Sequence, residues 1–155
     1  MIIAVSGWRN WDSKRSVATI IGNIIDNGWG EIHQGYPNSL PLFRFGDNPD
    51  GLDDTMWELC AEWQLPHERY VADWEQHGKA AGPLRNRAML RGTGYSGERA
   101  QLLLAFPEPG KYPKLPGSGT WGCIGEAATL GIQTSIYPST KLTIDTGFGL
   151  GVFSG

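Results

Sequence analysis

Residues 1–10, MIIAVSGWRN, decide the fold. Ile2 to Val5 is a short apolar run with no polar alternation, the pattern of a strand buried on both faces of a parallel sheet. It breaks off at Ser6-Gly7-Trp8-Arg9-Asn10, and an amphipathic segment follows. There Val17, Ile20, Ile21, Ile24 and Ile25 recur at helical spacing; Asp12 or Ser13 can cap the start, and Asn27-Gly28 suits the stop. A buried strand, a glycine-bearing turn and a helix make the first unit of an α/β fold.

The same unit recurs downstream. Glu31 to Gln34 reads as a second strand ending at Gly35. Residues 36–50, YPNSLPLFRFGDNPD, hold Pro, Asn and Gly without a sustained period and read as a loop insertion, with Leu42, Phe43 and Phe45 packing it down. It is expected at the mouth of any ligand pocket, since it joins a strand end to the next helix. That helix starts near Gly51, shows Leu52, Met56, Leu59, Cys60 and Trp63 on one face, and stops at Leu65-Pro66. Arg69 to Ala72 reads as the third strand. In HGKAAGPLRNRAML (77–90), Pro83 suits a first helical turn. Gln101 to Phe106 contains LLLAF, the best buried-strand candidate after the first. A helix from about Thr120 to Leu130 and a strand from Gln133 to Tyr137 follow. Residues 138–155 form a short, glycine-rich extension that adds at most an edge strand. The expectation is one domain over 1–155, a Rossmann-like, doubly wound, mostly parallel sheet with helices on both faces and with Ile2–Val5 and Leu102–Phe106 central.

Composition agrees. The chain has 155 residues, 40% hydrophobic and 19% charged, enough for one core and too short for two. A formal net charge of -3 argues against a general nucleic-acid binder. Cys60 and Cys123 lie far apart and suggest a reduced compartment, not a disulfide scaffold. No run approaches the roughly 18 apolar residues of a membrane span, and MIIAVSG reads as a strand rather than a signal peptide. A cytoplasmic setting is expected, with no membrane partner. The 7 Trp are expected mainly in core and rim packing, with one or two free to stack on a planar ligand.

In doubly wound sheets ligands bind at the carboxyl ends of the strands, and the residues of chemical interest fall there. Gly117-Ser118-Gly119-Thr120 lies between a buried strand and a helix, where free N–H groups attract anions; the plainer reading is a tight turn. No Lys follows in the place a Walker motif requires. In Ser6-Gly7-Trp8-Arg9-Asn10, Gly7 permits close approach and Arg9 can grip a phosphate or carboxylate, or simply be solvated. Lys79, Arg85 and Arg87, with Asn86, Gly78 and Gly82, favour an anion pocket over a solvated helix face. Asp53 and Asp73 can accept hydrogen bonds from ribose hydroxyls, cap helices or pair with arginines. Trp8, Trp74 and Trp121 border the same loops. His33, His67 and His77 have no metal-ligand spacing, so neither metal nor cofactor is expected.

SGWRNW (6–11), GLDDTMWELCAEWQLP (51–66), VADWEQHGKAAGPLRNRAML (71–90) and GTWGCIGEAATLGI (119–132) resemble the YspA-like branch of the SLOG superfamily, the Rossmann-like SMF/DprA-LOG group found in bacteria and their phages. The resemblance implies a domain that binds nucleotides or nucleotide-derived signals. In that family the second strand runs directly into a Gly-Ala-Arg-Gly-Ala-Asp type turn; here the insertion at 36–50 separates Gly35 from Gly51-Leu52-Asp53. LOG enzymes, which resemble this fold and cleave ribose 5-phosphate from nucleoside monophosphates, carry a glutamate where this chain has Cys123; Glu126 lies one turn on, and Arg85 loosely matches their arginine. The expected function is therefore binding of a nucleotide-derived ligand, such as an ADP-ribose-like molecule or a nucleotide sugar. Hydrolysis of an N-glycosidic or phosphate bond is the alternative, with no catalytic residue assigned. Single-stranded DNA binding, as in DprA relatives, fits the acidic charge poorly. Dimers are common in the superfamily, and a tryptophan-rich surface suits a homodimer or higher homo-oligomer.

Overall fold

The computed structural model describes residues 1–28, 40–108, 119–137 and 150–152. Among the described residues, six strands form one sheet: β1 (Ile2–Gly7), β2 (Leu42–Gly46), β3 (His67–Tyr70), β4 (Leu102–Phe106), β5 (Gln133–Ile136) and β6 (Leu150–Val152). Their spatial order is β3-β2-β1-β4-β5-β6, and every adjacent pair is parallel. This is the order of dinucleotide-binding Rossmann sheets, with the direction of winding reversing between β1 and β4. β1 and β4 are central, as their unbroken apolar runs require.

The helices are α1 (Lys14–Asn23), which continues into a π turn at Ile24–Gly28, α2 (Gly51–Trp63), the short α3 (Trp74–His77), α4 (Ala81–Arg91) and α5 (Gly119–Thr129). A 3₁₀ turn at Gly78–Ala80 joins α3 to α4. Side chains alternate across the sheet and build two cores. Ile3, Val5, Phe43, Phe45, Leu104 and Phe106 pack with Val17, Ile20 and Ile21 of α1 and Leu52, Met56 and Leu59 of α2. Ile2, Ala4, Leu103, Ala105 and Ile136 pack on the other face with Met89 and Leu90 of α4 and Cys123, Ile124 and Ala127 of α5. The fold is thus an α/β doubly wound sheet covered on both faces.

One expectation is corrected. The stretch 36–50 contains β2, which pairs with β1 on one side and β3 on the other. The strand was hidden because Arg44 interrupts its apolar run and Pro41, Asn48 and Pro49 flank it. Arg44 is fully buried. Its Nε donates to Glu68 at 2.7 Å, its Nη1 to the carbonyls of Glu98 at 2.6 Å and Met89 at 3.2 Å, and its Nη2 to Ser96 at 3.2 Å. The strand expected at Glu31–Gln34 lies outside the described residues. β3 begins two residues before its expected start, and an edge strand from the C-terminal extension is present as β6. Ser13 caps α1 by accepting from the Ser16 N–H. Among the described tryptophans Trp11 alone is buried; Trp57, Trp63 and Trp74 are exposed.

Candidate binding cleft at the switch point

The loop after β1 is fixed before any ligand enters. The Trp8 N–H donates to the Phe106 carbonyl at 2.8 Å, and the Trp8 carbonyl accepts from Leu52 at 3.2 Å and Trp11 at 3.0 Å. Gly51, the first residue of α2, has φ +70, and a Cβ there would strike the Arg9 backbone. Gly7 likewise lies against the Leu52 side chain. These two glycines let α2 start hard against the end of β1.

A cavity of about 510 Å³ opens at this end of the sheet. Ser6, Gly7, Trp8 and Arg9 line it from β1, Gly46, Asn48 and Asp53 from the end of β2 and the start of α2, and Glu108 from the segment after β4. Trp74, Lys79, Gly82, Arg85 and Asn86 close the α4 side, and Gly119, Thr120 and Trp121 bring in the first turn of α5. A smaller cavity of about 90 Å³ adjoins it and shares Asn86, Pro83 and Gly119.

Most of the residues singled out in the sequence therefore meet. Asn10 is exposed and does not line the cavity. Asp73 is spent on capping α3, accepting from the Gln76 N–H at 3.0 Å. Gly117 and Ser118 lie outside the described residues. Arg87 pairs with Glu126 at 2.8 Å on the surface. His67 sits in β3, and His77 ends α3 on the exposed side. Sequence reasoning missed Val5, Gly46, Asn48, Pro83, Met89 and Glu108. Gly46 and Asn48 were missed because β2 was read as loop. The segment 36–50 does reach the mouth of the cavity, but as the end of β2 and the turn beyond it.

The charges in the cleft are organised around Arg85. Its Nη1 donates to Asp47 Oδ1 at 3.0 Å and its Nε to Asn86 Oδ1 at 2.9 Å. Asp53 is 9% exposed, and its Oδ2 accepts from the Asn48 N–H at 3.1 Å. Burial raises the Asp53 pKa above the ordinary carboxylate value and Asp47 adds to this; the Arg85 charge and the N–H groups of Asn48 and Gly46 oppose it without cancelling it. A Cβ on Gly46 would collide with both the Arg85 guanidinium and the Asp53 carboxylate. Arg85 is thus partly committed to Asp47, while Arg9 and Lys79 are exposed cations at the rim.

On the α5 side the buried polar groups are Ser6, Asn86 and Thr120. The Nε1 of Trp121 is buried with no hydrogen-bond partner among the described residues. Cys123 lies beneath Ser6, hydrogen-bonded to its side chain; burial pushes the thiol up to about 12, so it stays protonated at neutral pH. It has neither the exposure nor the thiolate character of a nucleophile. Among the described residues no cluster of His, Cys, Asp or Glu could hold a metal, and no helix is long and apolar enough to cross a membrane.

No family model and no solved structure matches the chain. It is 30% identical over 133 residues to Gene 61 protein of Mycobacterium phage D29, an overlap of 84% of this chain and 90% of the phage protein. With the phage protein matched over nearly its whole length, the chain belongs to the family of Gene 61 protein.

Proposed function

We propose that the cleft binds a nucleotide or nucleotide-derived small molecule, such as an ADP-ribose-like ligand or a nucleotide sugar. The observation that carries this reading is a preformed cavity at the switch point of a β3-β2-β1-β4-β5-β6 sheet, lined by the first turn of α5. Free N–H groups and the positive end of the helix dipole suit an anion there. Asn86, Thr120 and Ser6 offer polar side chains, and Arg9 and Lys79 add positive charge at the rim. Trp74, exposed at the same rim, offers a flat apolar surface to a base.

The resemblance to the YspA-like SLOG branch supports the same reading. The position of β2 supports it too: Gly46 closes the strand, and Gly51-Leu52-Asp53 follow after the short turn 47–50.

Hydrolysis of an N-glycosidic or phosphate bond is a second reading, favoured by one group. Asp53 is a buried carboxyl of raised pKa in a cleft, the kind of residue used for general acid–base chemistry. A panel of nucleoside mono- and diphosphates, ADP-ribose and nucleotide sugars decides between them, scored for thermal shift and for product by chromatography. A shift without turnover is the expected result, and turnover selects the hydrolase. No shift with any member at millimolar concentration rejects both.

A further inference from the structure

We infer that Asp53 is the group that reads the ribose hydroxyls of the ligand, so that the cleft selects ribonucleotides over 2′-deoxyribonucleotides. This rests on the nucleotide reading and gives it an orientation.

The two ends of the cleft have different chemistry. At the α5 end stand the helix N-terminus, the polar side chains of Asn86 and Thr120, and Glu108 on the segment after β4. At the β2 end stand two carboxylates, Asp47 and Asp53, paired with the Arg85 guanidinium. Arg85 is taken up by these carboxylates, so a phosphate seats better against the N–H groups at the start of α5. β2 and β4 are separated by β1 alone, so the two ends lie about two strand spacings apart, roughly 10 Å. The uncharged parts of a nucleotide are its sugar and its base, and the sugar, joined directly to the phosphate, is the one that reaches the β2 end first, with hydroxyls as donors.

Asp53 is built to receive them. The Asn48 and Gly46 N–H groups hold its carboxylate in place. An ionised carboxyl has about four acceptor sites, so two N–H bonds leave capacity for a ligand. Asp47 is less suited, because its Oδ1 already accepts from Arg85 at 3.0 Å and from the Ala72 N–H at 3.3 Å. Asp73 is excluded by its work as the α3 cap. Arg85 is a positioning residue here: it compensates both carboxylates and occupies the space that any side chain at Gly46 would take.

The test is isothermal titration of the full chain with ADP, GDP, CDP and UDP and with the 2′-deoxy form of each. For the base that binds best, the ribonucleotide is expected to bind at least about tenfold more tightly, the effect of one hydrogen bond to a charged acceptor. In Asp53→Asn, which keeps an acceptor for the Asn48 and Gly46 N–H groups, this preference should fall below about threefold. A wild-type preference under tenfold, or one that Asp53→Asn leaves intact, overturns the inference and leaves nucleotide binding standing. Binding of none of the eight overturns the inference, and the nucleotide reading falls only if the wider panel fails as well. Even if the variant fails to fold, a wild-type preference under tenfold overturns the inference by itself.

Discussion

Asp53 places function and stability in opposition at a single residue. Its pKa is higher in the folded chain than the ordinary 3.8, with burial the largest cause. A carboxyl whose folded pKa is raised gives up stability as pH climbs, because the unfolded chain loses its proton first. The penalty is absent below pH 3.8 and complete once pH has passed the raised folded value. Asp53→Asn removes the titrating group and keeps the shape. The variant should therefore melt at a higher temperature than the wild type at pH 7, with the gap closing as pH falls to about 3.5. Melting curves at pH 3.5, 5 and 7 check this, and a variant less stable at pH 7 would show that the Arg85 attraction outweighs the desolvation. Cys123 offers a second residue-scale check. With its thiol at about 12 and its side chain buried, alkylation by iodoacetamide at pH 8 should proceed only as fast as the chain opens. Rapid labelling of native protein, mapped to Cys123 by peptide mass spectrometry, would make that thiol a candidate nucleophile.

Among the elements, β2 is where sequence and structure part. The strand Leu42–Gly46 alternates, with Phe43 and Phe45 in one core and Arg44 in the other. A central strand with an arginine facing inward has no signature in periodicity, because its partners come from three separate places: Glu68 on β3, the Met89 carbonyl in α4, and Ser96 and Glu98 in the following loop. β1 and β4 were legible because they need nothing but apolar neighbours, and α1 and α2 because their apolar faces repeat at helical spacing. The site was legible where glycines and cations follow a recognised strand, as at Ser6–Arg9 and Lys79–Asn86. It was not legible at Gly46 and Asn48, whose meaning depends on β2. The buried Arg44 also predicts a cost. Arg44→Met keeps volume but strands the Glu68 carboxylate, only 15% exposed, and should lose about 3–5 kcal/mol in urea denaturation. Adding Glu68→Gln should recover part of that loss. A single variant that loses less than about 1 kcal/mol would show that the network holds the loop without stabilising the fold.

For the whole molecule, the cleft is a place where elements from both layers meet around open space. α2 belongs to the layer with α1, and α4 and α5 to the other, yet Asp53, Asn86 and Thr120 line one cavity. A ligand seated there touches both layers and must favour the state in which they are docked on the sheet together. Linkage sets the size of the effect: at one hundred times its Kd a ligand stabilises the binding-competent state by about 2.7 kcal/mol, roughly a hundredfold in any opening that releases it. Hydrogen exchange on the full chain with a saturating nucleotide should therefore slow the first turns of α2, α4 and α5 together, by up to about that factor. The π turn at Ile24–Gly28 supplies no residue to the cavity, so its exchange should be unchanged by the ligand. Protection confined to α4 and α5 would mean a ligand lodged against one layer alone, out of reach of Asp53. Protection spread over both layers, with the π turn unaffected, is the pattern expected of a nucleotide laid across the switch point.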